Sequence, residues 1–187
     1  MIHLLVAAAL AVPVATPAEE TALLGGETVV RALPASADTA VKVIGMVDVR
    51  ATSAQVWKVL LDFPARKAAN PSLTSLVAYR PATGTDQWWG FTVQKFGTTT
   101  VYHNRYTMVG DRLTHQLDTT QQNDIAGNTG VYELGACAPS VPAPCTRLFW
   151  TVETDFGRAL PGMIKTWLGR TAVENFLGDM ATRAPSY

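Results

Sequence analysis

The sequence predicts an α+β fold: one curved antiparallel sheet of seven strands with its helices gathered on one face. Three observations carry this. The stretch from Leu73 to Phe156 alternates apolar and polar residues with period two. Its separators, among them PATGTD, GT, GD and NDIAGN, are short and turn-like, which makes sequential strands antiparallel neighbours. Helical patterns precede and follow it, one opening at Thr52 and one covering the C-terminal tail. At 187 residues the chain suits a single domain with a core of its own.

Residues 1–18 read as a secretory signal peptide. The apolar run from Ile2 to Val14, broken only by His3 and Pro13, is short for a bilayer span and ends in small residues. Cleavage is expected after Ala18, with Ala15 as the second choice. No Lys or Arg precedes the run, as would also hold for a buried or membrane-anchoring helix. Residues 19–38 are polar and Ala-rich, and are expected to be poorly structured apart from a weak strand at Thr28–Leu33. The folded domain is placed at 39–183.

Its first firm strand is AVKVIGMVDVRA, where Val41, Val43, Gly45, Val47 and Val49 alternate with more polar residues. Thr52 then offers an N-cap, with Gln55 completing a capping box. Val56, Trp57, Leu60 and Leu61 share one helical face. Phe63-Pro64 is expected to end this helix, leaving Ala65–Pro71 as a short helical or irregular piece of mobile composition. Six strands follow, at Leu73–Tyr79, Gln87–Phe96, Thr99–Val109, Leu113–Thr119, Thr129–Leu134 and Arg147–Phe156. The last helix starts at Pro161. Gly169 and Gly178 lie within it, each costing about 1 kcal/mol relative to alanine. Either the helix approaches the sheet closely or leaves room beneath it, or it ends and restarts at Gly169.

Composition excludes some functions. Fifteen basic and fifteen acidic residues cancel, so no nucleic-acid partner is expected and anionic lipid is not attracted electrostatically. Cys137 and Cys145 flank APSVPAP. In an oxidising compartment they would close a short loop worth about 2–3 kcal/mol; the alternative is two buried thiols. Without a histidine nearby they are not expected to bind metal. An exported, periplasmic or secreted protein is the reading that fits both features.

A long helix across a strongly bent sheet cannot fill the concavity, so large side chains or a ligand must. The hydrophobic side of each strand places Tyr102, Asn104, Tyr106 and Met108 inward on one strand, and His115 between Leu113 and Leu117 on the next. Tyr132, Trp150 and Phe156 extend this wall, and Trp167 and Phe176 face it from the tail helix. The mixture of aromatic rings with a few polar groups is that of a ligand pocket. Taken singly, each of these residues is more often core filler than a ligand contact, and His115 more often a hydrogen-bonded core histidine than a base. Trp88 and Trp89 must point to opposite faces, so one of them leaves the cavity side, where it offers a transient contact for membrane or partner. His103 and His115 fall on different strands and opposite faces. There is no Gly-x-Ser-x-Gly, His-Glu-x-x-His, phosphate loop or Gly-x-Gly-x-x-Gly, and no cofactor is expected.

The stretch VDVRATSAQVWKVLLDFPARKAANPSL, with Val56, Trp57, Leu60, Asp62, Phe63 and Pro71 in pattern, resembles the START-like, or polyketide cyclase/coenzyme-Q-binding, superfamily. So does the tail, where a strand ending DFG leads into LPGMIKTWLG and a helix containing EN. The resemblance covers Val41 to about Met180. It implies the helix-grip fold, also seen in the birch-pollen allergen group, and a hydrophobic small molecule (lipid, quinone or similar) held under the C-terminal helix of a monomer. Non-catalytic binding or carriage is the function expected. The alternatives are a cyclase/aromatase using His115, Tyr106 or Asn104, and a partner-binding module whose cavity its own side chains fill.

Overall fold

The structure is a computed structural model that describes residues 14–95, 97–158 and 162–187, with side chains in the last stretch described from Gly169 onward. Residues 2–13 of the apolar N-terminal run lie outside the described residues. In chain order the elements are α1 (Pro17–Leu24), β1 (Val29–Leu33), β2 (Ala40–Val49), α2 (Ser53–Leu61), α3 (Phe63–Ala69) and β3 (Leu73–Thr83). They continue with β4 (Asp86–Lys95), β5 (Thr98–Val109), β6 (Arg112–Leu117), β7 (Gly127–Ala136), β8 (Thr146–Asp155) and α4 (Gly162–Arg183). The strands form one sheet in the order β1-β2-β8-β7-β6-β5-β4-β3, every pair antiparallel. This is the expected α+β arrangement, with the seven anticipated strands all present.

The eighth strand is β1, the weak one, which pairs with β2 from Val29↔Met46 to Leu33↔Lys42. Residues 19–38, expected to be poorly structured, instead carry most of α1 and all of β1. Thr16 caps α1 by accepting the Glu19 N–H at 3.3 Å, while the Glu19 carboxylate accepts the Thr16 N–H at 2.7 Å. Leu23 then packs into a small cluster with Ile44, Met46 and Phe149. The expected cleavage point after Ala18 falls inside this helix; a cut after Ala15 leaves its cap intact.

β2 lies near one edge of the sheet and β3 forms the other. α2 and α3 connect them and pack their apolar side chains into the core on the inner side of the sheet. α2 starts with the predicted capping box, Thr52 Oγ1 accepting the Gln55 N–H at 3.3 Å. Its buried residues are Val56, Val59 and Leu60, with Trp57 and Leu61 packed partly buried against the same core. Of the two readings for the segment after Phe63, helical or irregular, the helical one holds. Asp62 caps a new helix by accepting the Ala65 N–H at 3.0 Å, and Pro64 sits in its first turn, where a missing N–H costs nothing.

α4 is continuous through Gly169 and rests mainly on β2. Two glycines make the close approach. A Cβ at Gly45 would lie 2.3 Å from Val173 Cγ1 and 2.5 Å from Leu177 Cδ1, and one at Gly169 would lie 2.6 Å from Val41 Cγ1. A Cβ at Gly178 meets nothing within 4 Å, so packing does not explain that glycine.

Cys137 and Cys145 form a disulfide across the proline-rich loop between β7 and β8. With the two positions 8 apart in sequence, loop-closure entropy makes the bond worth about 2–3 kcal/mol. Cys137→Ser/Cys145→Ser should lower the urea-unfolding free energy by that amount, and dithiothreitol should do the same to the wild type. Equal stability of the oxidised and reduced protein would contradict this.

Candidate ligand-binding site

The register of the sheet fixes its inner wall. Trp89 opposes Asn104 and Phe91 opposes Tyr102, Tyr106 opposes His115, and Tyr132 opposes Trp150. Inward orientation thus passes from β4 to β8 through an almost unbroken band of rings. Phe91 stacks on Tyr102 with centroids 4.9 Å apart, and Tyr132 stacks on Trp150 at 5.1 Å. From α4, Phe176 meets Trp150 edge-on at 4.8 Å. Of the two adjacent tryptophans, Trp89 turns inward to stack on Phe63 at 4.5 Å. Trp88 turns outward and lines a surface groove of about 310 Å³ with Arg80, Arg105 and Gln116.

Tyr106, Asn104, His115 and Tyr132 are buried, whereas Tyr102, Met108, Trp150 and Phe176 keep partial solvent contact although they pack on the inner core. These four side chains of the inner wall are therefore packed on the core without being fully covered. Phe156 lies one residue beyond β8, half-buried and outside the set packed on that core. The side chain of Trp167 lies outside the described residues. His103 is on the outer face, its backbone N–H and Nδ1 both at Asn123 Oδ1 (2.8 and 3.2 Å), so the two histidines do not meet.

The residue that sequence reasoning missed is Arg66. It comes from α3, is 7% exposed, and stands among the rings. Its guanidinium carbon lies 4.3 Å from the Phe63 ring centre, 5.1 Å from Phe176, 5.7 Å from Tyr132 and 5.9 Å from Tyr106. It donates to the Leu60 carbonyl oxygen, but its Nε–H has no acceptor. Among the described residues no carboxylate pairs with it. A buried cation is ordinarily paired; here ring faces and the Leu60 carbonyl surround it, and the Asp62 carboxylate acts on it only through space. The available signal was Asp62-Phe63-Pro64, a cap followed by a first-turn proline. Read as a helix start, it turns Arg66 one helical turn from Phe63 and onto the same face.

Burial, aided by the Arg66 charge, lowers the His115 pKa from 6.5 to about 3, so the ring is neutral. Its Nε2 accepts from the Trp150 indole N–H at 3.4 Å, which leaves the proton on Nδ1, where it finds no acceptor. Burial likewise raises the hydroxyls of Tyr102, Tyr106 and Tyr132 above the usual tyrosine range. Because the unfolded chain binds a proton that the folded His115 refuses, this contribution is intact above about pH 6.5. It is lost as pH falls toward 3. His115→Gln should therefore give a shallower decline of unfolding free energy over that window than the wild type. Parallel curves would contradict the assignment.

His115 fits because its cross-strand neighbour is Gly130. A Cβ there would lie 2.3 Å from His115 Nε2 and 2.6 Å from the Thr151 carbonyl oxygen. Gly130→Ala must shift either the ring or the β7–β8 ladder, and should cost about 2–3 kcal/mol in denaturant unfolding. Wild-type stability in that variant would show that the site relaxes freely.

No protein-family model and no curated protein matches this sequence. Solved structures do. A STAR-related lipid transfer protein from Xanthomonas axonopodis is 19% identical, with TM-score 0.60, covering 84% of this chain and 93% of its own. A START superfamily protein from Mycobacterium smegmatis is 18% identical, with TM-score 0.62, covering 78% and 97%. The Zhui aromatase/cyclase from a Streptomyces species is 15% identical, with TM-score 0.60, covering 79% and 93%. At these identities the likeness is one of fold. The chain has the START-like helix-grip fold.

Proposed function

We propose that the protein binds and carries a hydrophobic small molecule, such as a lipid or quinone, in the recess beneath α4 without reacting with it. The observation that supports this is the inner aromatic wall whose members Tyr102, Met108, Trp150 and Phe176 stay partly accessible. Rings held inward yet incompletely covered leave apolar surface to be buried by a ligand. The likeness to the Xanthomonas lipid transfer protein favours the same reading. A cyclase-type enzyme is the second reading, because solved neighbours include aromatase/cyclases and because polar groups converge at Arg66. A histidine with a pKa of about 3 is a weak general base at neutral pH, and this weighs for carriage. Native mass spectrometry of the purified protein should show a co-purifying apolar molecule. A clean apo mass in repeated preparations would overturn carriage.

The proposed setting is export. The disulfide suits an oxidising compartment, and among the described residues no helix is long and apolar enough to cross a membrane. Processing before Thr16 would preserve the capped α1, so the intact mass should correspond to a chain beginning there. The carrier is read as a monomer, with outward-facing Trp88 as its contact with a membrane.

A further inference from the structure

The described polar atoms of the recess are mostly donors without acceptors. Arg66 Nε–H and His115 Nδ1–H are both buried and unpartnered. The Arg66 guanidinium lies over the Tyr106 and Tyr132 rings, whose hydroxyls, held protonated by burial, can each donate to an acceptor. Asn104 Oδ1 is the one unpartnered acceptor of the group. Rings tie the set together: His115 stands 5.4 Å from Tyr106 and 5.8 Å from Tyr132, and Arg66 lies over both. A neutral quinone or sterol head would satisfy some of these donors and leave the guanidinium charge uncompensated.

We propose that the carried molecule is a long-chain carboxylate, its two oxygens at Arg66 with the Tyr106 and Tyr132 hydroxyls beside them and its hydrocarbon chain along the Trp150–Phe176 wall. This rests on the carriage reading and specifies its ligand. One guanidinium and no lysine occur in the cluster among the described residues, so the charge to be matched is a single one; a phosphate dianion would exceed it. A planar carboxylate suits a guanidinium fork, and hydrogen bonds to a charged group are the strong ones. The raised tyrosine pKa values keep these hydroxyls protonated, as donors, at neutral pH.

The test compares three ligands sharing one twelve-carbon chain: laurate, 1-dodecanol and dodecyltrimethylammonium, titrated at neutral pH into delipidated protein with tryptophan fluorescence as readout. The wild type should bind laurate about 30-fold more tightly than dodecanol, with the cation weakest. Arg66→Met should bring laurate and dodecanol within about threefold of each other while still binding dodecanol. Equal wild-type affinity for acid and alcohol, both bound, would overturn the carboxylate proposal and leave carriage standing. Binding of neither would overturn carriage and this proposal together. Should Arg66→Met fail to fold, the wild-type order of acid, alcohol and cation decides the matter alone.

Discussion

Arg147→Met is expected to lower the unfolding free energy by about 3–5 kcal/mol. The guanidinium is buried between two acids. Its Nε and Nη2 donate to the two oxygens of Asp48 at 2.6 and 2.9 Å, and the same fork reaches both oxygens of Glu20. Asp48 is the costly partner, since its side chain is only 5% exposed. Methionine fills the space but leaves that carboxylate without a counter-charge. The cost comes from the stranded acid, not from the loss of an attractive pair. Arg147→Met/Asp48→Leu should therefore regain most of the loss. Glu20 adds a local effect, because it ties α1 to β8 from 127 residues away in sequence. Hydrogen exchange over 17–24 should quicken in the single variant and stay quick in the double one. A single-variant loss below about 1 kcal/mol would be incompatible with a buried, ion-paired Arg147.

The same arginine explains what could be read from the sequence and what could not. The period-two stretch, the Thr52–Gln55 capping box, the cysteine pair and the inward side of β5, of β6 and of β8 as far as Val152 are all local patterns, and each holds in the fold. α1 and β1 are held differently. Their anchors are Glu20 to Arg147, Glu19 to Arg31, and Leu23 against Ile44, Met46 and Phe149. None of these shows as periodicity within residues 17–33, so the segment reads as polar and loose. Within the site, the aromatic wall was legible because strand alternation decides which side chains share a face. Arg66 was not. A basic residue in FPARKAANP reads as solvated until Pro64 is recognised as a first-turn residue and α3 is packed on the inner side of the sheet.

Phe63→Ala is expected to cost about 3–5 kcal/mol, the range for deleting a fully buried ring. Phe63 is wholly inaccessible, stacks on Trp89 at 4.5 Å and meets Tyr106 edge-on at 4.8 Å. The void left behind is bounded by two aromatic rings on strands that cannot collapse toward α3 without disturbing the sheet, which favours the upper end of the range. Phe63→Leu retains much of the volume and should lose about half as much. The two variants also separate packing from charge. Arg66 loses its nearest ring face in both, so the ligand-head preference should shift similarly in both, whereas stability should not. An apolar void of this kind stays dry and takes up small aromatics. Benzene should therefore raise the melting temperature of Phe63→Ala more than that of the wild type. If Phe63→Ala unfolds within about 1 kcal/mol of the wild type, α3 is not seated on the sheet. The burial of Arg66, which depends on that seating, would fall with it.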